Sequence, residues 1–130
     1  MPMLKPMSKK DSKILDKIFG AMEPGTSKRI NNSKTYMYLS VERLTSNSYS
    51  MAHYYEQNGD LVADPDIELL RAKNGEWYPI ALQQSTGAYT RAIEYYDKDG
   101  YPTKAYPMRY SELRSFLSMW LKNLKDQQGL

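Results

Sequence analysis

Cysteine is absent from the 130-residue chain, and histidine occurs once. The first absence excludes disulfides, thiolate metal sites and cysteine nucleophiles. The second argues against a closed zinc site, which draws on several His or Cys ligands. Phenylalanine and tryptophan are scarce, two of each, whereas tyrosine appears 12 times. That balance suits a sheet with one wet face, because a tyrosine can bury its ring while its hydroxyl stays hydrated. Long hydrophobic runs are lacking as well. No stretch approaches the roughly 20 apolar residues of a membrane span. The first apolar run, Ile14 to Met22, is interrupted by Asp16, Lys17 and Gly20, unlike a signal peptide. The expectation is a cytoplasmic protein with no membrane partner.

What remains is ordinary for a soluble domain: 41% hydrophobic and 25% charged residues. The length is enough to bury a core without staples. Residues 1–8, with two prolines and no periodicity, read as a flexible tail, and 9–128 as a single α+β domain. The net charge of +3 is unevenly spread. Residues 1–34 hold eight Lys/Arg against three Asp/Glu, residues 56–70 hold five acids and no base, and 104–130 are again basic. A basic N-terminal region can attract nucleic acid or another anionic partner, although a solvated helix face has the same composition.

Between Lys9 and Met22 the apolar residues Ile14, Leu15, Ile18, Phe19 and Met22 share one helical face, and Pro24-Gly25 closes the segment. From Thr35 the period changes to two. Met37, Leu39 and Val41 alternate with Tyr36, Tyr38 and Ser40, and YSMAHYYEQ follows as a second strand. Further strands are expected over 66–73, over WYPIALQQ, where Pro79 requires an edge or a bulge, and over AYTRAIEYYD. A last helix, about 111–125, carries Leu113, Phe116, Leu117, Trp120, Leu121 and Leu124 on one face. Ser111 is its candidate N-cap, Gly129 lies past its end, and Trp120 belongs to the core stripe. The architecture expected is α+β, an antiparallel meander of about five strands with both helices packed on one face.

The segment HYYEQNGDLVADPD, residues 53–66, is the candidate site. His53, Tyr55, Glu56, Asn58, Asp60 and Asp64 form the candidate binding cluster. Its carboxylates suit hard cations, yet the spacing fails the calcium-loop pattern. Pro65-Asp66 could begin a Mg²⁺-nuclease motif, but neither Lys73 nor Lys98 has the acid required two residues before it. No nucleophile-elbow spacing supports a triad on His53, which shares a strand face with Met51 and Tyr55. The structural alternative is a hairpin. Asn58-Gly59 supplies the positive φ angles of a tight turn, and Asp64 is biased to extended backbone by Pro65. Gly59 is then the position expected to tolerate change least. A secondary candidate surface comprises Gln83, Gln84, Tyr89 and Arg91, near the turn between two strands. Exposed Tyr36, Tyr38, Tyr54 and Tyr96 could stack bases, although the acidic central segment repels phosphate.

HYYEQNGDLVADPDIEL, followed by GEWYPIALQQSTGAYT and WLKNLKDQQG, resembles a family of small uncharacterised bacterial proteins, a domain of unknown function. The resemblance spans about residues 35–128, and its core motif falls on His53 to Asp60, with Asp64 and Pro65. It implies a bacterial chain associated with plasmids, phages and other mobile elements, and no established activity. The functional expectation is a non-enzymatic binding or interaction module, with protein or nucleic acid as partner and no metal or other cofactor. The alternative is a metal-assisted hydrolase using His53, Glu56, Asp60 and Asp64.

Overall fold

A computed structural model describes residues 4–33 and 37–130, with the side chains of 55–57 and 60–64 outside that description. The first helix, α1 (Lys9–Phe19), begins where the Ser8 hydroxyl accepts the Asp11 N–H at 3.1 Å. It ends earlier than Met22, because Gly20 takes φ 56° and turns its N–H back to the Asp16 carbonyl. Ile14, Leu15, Ile18 and Phe19 are buried, as the spacing requires.

Six strands follow in a plain antiparallel meander: β1 (Ser27–Ile30), β2 (Leu39–Arg43), β3 (Ser48–Gln57), β4 (Asp60–Arg71), β5 (Trp77–Gln83) and β6 (Tyr89–Arg91). A second sheet has two strands, β7 (Ile93–Tyr96) and β8 (Pro102–Ala105). Expectation and structure differ in three strands. β1 lies in the polar segment between Pro24-Gly25 and Thr35, where no strand was expected. AYTRAIEYYD is split at Ala92, whose N–H goes to the Ile80 carbonyl and whose own carbonyl accepts from Tyr106. β8 lies in YPTKAYP, the segment before the last helix, where no strand was expected. Pro79 does sit at a bulge: Glu68 pairs with Ala81 and Leu69 with Pro79, leaving Ile80 as the extra residue.

The last helix, α2 (Pro107–Gln128), starts four residues before Ser111, since Pro107 is preorganised for the first turn and lacks the N–H that would go unpaired there. Ser111 therefore lies inside the helix rather than capping it. Gly129, left-handed at φ 67°, ends it as expected. Both helices pack against the sheet and each other. Phe19 stacks on Trp77 at 5.2 Å, and Tyr49 meets both rings edge-on at 4.9 Å. Trp77 donates to an Asp16 carboxylate oxygen at 3.0 Å, so its N–H is satisfied at the core edge. Trp120 is 6% exposed, as its place in the stripe requires.

Residues 4–8, expected within a flexible tail, are docked instead. Met7 is buried and its N–H donates to the Trp77 carbonyl at 2.8 Å. Arg114 donates twice to the Pro6 carbonyl, and the Tyr110 hydroxyl donates to that of Lys5. Gln128 is a buried polar side chain with a similar task. Its amide accepts from the Asn32 N–H and donates to the Met37 carbonyl, joining the end of α2 to the entry of β2.

Candidate functional site

The segment singled out in the sequence is a hairpin. Asn58 (φ 53°) and Gly59 (φ 83°) form its two-residue exposed turn, both left-handed, which is the backbone an Asn-Gly turn adopts to match strand twist. The strand expected over 66–73 begins earlier, since β4 starts at Asp60. Gln57 pairs with Asp60, Glu56 with Leu61 and Tyr55 with Val62. Ala52 pairs with Asp66 and Tyr54 with Ala63, so His53 opposes both Asp64 and Pro65 across a bulge. Proline cannot donate to a ladder, and a bulge is where a strand can hold it. The His53 ring meets Trp120 edge-to-face at 5.4 Å, so it faces α2.

The candidate cluster is thus strung along a ladder. Asn58 is at the tip and His53 is beneath the helix. Strand rise puts Asp60 and Asp64 about 13 Å apart along the backbone. The side chains of Tyr55, Glu56, Asp60 and Asp64 lie outside the described residues. Among the described residues, no group of three or more His, Asp or Glu side chains is placed to hold a metal ion.

A different set of side chains does converge, on the sheet face away from the helices. Register across the strands gives one row, Ser27–Glu42–Ser50–Glu68–Ala81–Arg91, and a neighbouring one, Arg29–Ser40–Ala52–Asp66–Gln83–Tyr89. Small Ser and Ala residues leave the acids standing over a shallow floor. Burial, followed by the nearby charges of Glu68 and Glu42, raises the Asp66 carboxyl above its usual range. Burial also raises the Tyr54 hydroxyl, with Asp66, Glu42 and Tyr38 adding to it. Tyr54, Tyr38 and the three acids therefore face one another. Tyr38 lies under the Arg29 guanidinium at 4.5 Å. A hydrogen bond with Tyr89 raises the Arg91 guanidinium above its usual value against its partial burial, and Glu68 and Glu94 add to the rise.

Three members of the secondary candidate surface, Gln83, Tyr89 and Arg91, join this face, while Gln84 is exposed in the β5–β6 turn. Of the tyrosines considered for base stacking, Tyr38 and Tyr54 belong to it, Tyr96 is on the small sheet, and Tyr36 lies outside the described residues. Glu42 was not singled out in the sequence. Its signal was the alternation in LSVER, which sets it opposite the buried Leu39 and Val41.

The remainder of this outer face is covered. Leu70 and Tyr78 are buried there, the Tyr78 hydroxyl raised by burial and then by Glu76 and Tyr101. The β7–β8 turn docks alongside: the Lys73 N–H donates to the Asp99 carbonyl at 2.8 Å. A Cβ on Gly100 (φ 80°) would stand 2.7 Å from the Arg71 carbonyl oxygen.

A family model described as a domain of unknown function (DUF6908) matches residues 9–130, from the first residue of α1 to the end of the chain. The chain belongs to that family. No curated protein and no solved structure matches it. The family's span takes in both helices and both sheets, and hence the whole outer face. No helix of the described residues is long and apolar enough to cross a membrane.

Proposed function

We propose that the chain is a non-enzymatic binding module and that the uncovered half of the outer sheet face is its recognition surface. The setting carried by the family resemblance, a bacterial mobile element, belongs to the same reading. One observation carries it: Glu42, Asp66 and Glu68 share one sheet face over a floor of small residues, and the Asp66 carboxyl is raised by burial and then by Glu68 and Glu42. Among the described residues, none of the three forms an ion pair. Like charges so arranged destabilise the isolated fold and are relieved by a cationic partner. Tyr38 and Tyr54 add aromatic faces suited to cations, and Gln83 adds a carboxamide for backbone recognition. The partner chemistry is a lysine- or arginine-rich protein segment.

The metal-assisted hydrolase built on His53, Glu56, Asp60 and Asp64 has less behind it. His53 packs on Trp120, and its nearest acidic register position, Asp64, is in the bulge. An anisotropy titration with a fluorescein-labelled oligo-arginine peptide tests the binding reading. Saturable binding should weaken several-fold in a Glu42→Gln/Glu68→Gln variant. A variant that binds as well as the parent chain would remove the sheet face from consideration.

A further inference from the structure

The opposite side of the molecule has the opposite sign. Lys10, Lys13 and Lys17 follow i, i+3, i+7 spacing on α1, which gives them one exposed stripe. Lys122 and Lys125, one turn apart on α2, are exposed beside them. Two clefts of about 240 and 290 Å³ run between these helices and share Lys10, Ile14 and Lys125 in their walls, so they form one continuous groove. The groove's acids are Asp11, which is buried, and Asp126, both in the first cleft. The second cleft is lined by Lys10, Lys13, Lys17 and Lys125 with Ile14 and Leu130.

We infer that this lysine-lined groove between α1 and α2 holds the phosphate backbone of a nucleic acid. Seven residues of helix separate Lys10 from Lys17, about 10 Å. One strand of a duplex carries a phosphate every ~3.4 Å along its axis, so the stripe spans about three of them. The α2 lysines supply the second wall. A groove suits a strand better than it suits a lipid surface. Membrane binding wants a continuous exposed apolar face among the bases, whereas among the described residues the large exposed apolar side chains of the two helices are Met108 and Met119, both on α2 and neither lining the groove. The acidic sheet face is repelled by the same polyanion, so charge alone orients the molecule with its helices inward. The inference shares with the sheet-face reading only the premise that the chain binds. It uses other residues and another partner.

Fluorescence anisotropy with a mixed-sequence duplex of about 20 base pairs, at roughly 50 to 200 mM salt, tests it. The whole chain should bind with an affinity that falls steeply as salt rises. Lys13→Gln/Lys17→Gln/Lys125→Gln should weaken binding about 10-fold or more and flatten the log–log salt slope by about 2–3, near 0.9 per lost contact. Lys73→Gln/Lys98→Gln/Lys104→Gln makes the same change in net charge at exposed sites elsewhere and should cost less than about 3-fold. All six lysines are exposed, and a thermal melt confirms that each variant folds. Equal losses in the two triple variants would overturn the inference, as would an absence of duplex binding. So would binding to phosphatidylserine vesicles in its place. Self-association that the groove variant abolishes, without duplex binding, would also overturn it by assigning the groove to the acidic face of a second copy.

Discussion

The two faces of the six-stranded sheet come from the same strands and follow different rules. Toward the helices, Leu39, Val41, Met51, Ile67, Leu69 and Trp77 are completely buried, and the one side-chain N–H among them, that of Trp77, is satisfied by Asp16 at the core edge. On the outer face the acids are at most partly buried, and the Asp66 carboxyl is raised by burial and then by Glu68 and Glu42. Only the part of that face over Leu70 and Tyr78 has acquired a cover, from the β7–β8 turn. The contrast separates what the fold needs from what it can offer a partner. Residues on the helix face are fixed by packing. On the open half the small residues Ala52 and Ala81 are buried as its floor, while Glu42 is exposed and Asp66 and Glu68 are partly so.

Trp77→Ala is the strongest way to test that division. It removes a fully buried ring that stacks on Phe19 and is met edge-on by Tyr49, and it takes one hydrogen-bond donor from Asp16. A loss of about 3–5 kcal/mol is expected in urea unfolding. A loss under about 1 kcal/mol would mean that the helix face is not the main core. The covered part of the outer face should come next. Gly100→Ala combines a positive φ with backbone contacts at 2.7 and 3.1 Å, to the Arg71 oxygen and the Ala72 Cα. Strain and overpacking together should cost on the order of 2–3 kcal/mol.

Gly59→Ala makes the matching test on the uncovered part. Its φ is 83°, yet a Cβ there would have nothing within 4 Å. Only the backbone penalty applies, about 1–2 kcal/mol. The sequence led us to expect Gly59 as the least replaceable position, and the structure puts the tighter demand at Gly100. If melts rank Gly59→Ala below Gly100→Ala in stability, the docking of the β7–β8 turn is wrong.

That reversal shows what could be read from sequence. Local signals were clear: the helical stripes of α1 and α2, the Asn58-Gly59 turn, the Pro79 bulge and the Gly129 cap all depend on a few adjacent residues. Long-range features were not. β1 is a sheet edge whose first three residues are exposed, so no burial pattern betrays it. β8 begins at a proline and is assigned by its pairing with β7. The convergence of Glu42, Asp66 and Glu68 depends on registers across three strands. Acid-rich spacing drew attention to Asp60 and Asp64, neighbours in sequence, whereas Glu42 reaches Glu68 only through Ser50 between them in the ladder.

The smallest effect expected is also the most direct probe of the open face. Asp66 has its folded-state carboxyl raised by burial and by Glu68 and Glu42, so the native state holds its proton more tightly than the unfolded chain does. Stability from this group is therefore fully present below the unfolded value of 3.8 and is lost as pH rises through the higher folded value. Asp66→Asn removes that loss. Subtracting parent from variant stability across a pH series should give a difference that grows in favour of Asn from about pH 4 upward and then levels off. Its size should stay near the roughly 0.5 kcal/mol range typical of substitutions outside the core. Glu42→Gln in the same background should shrink the difference, because one of the charges raising Asp66 is then gone. A difference that runs the other way, with Asn losing stability as pH rises, would mean that Asp66 has a cationic partner within the fold. The open face would then carry no charge left over for a ligand.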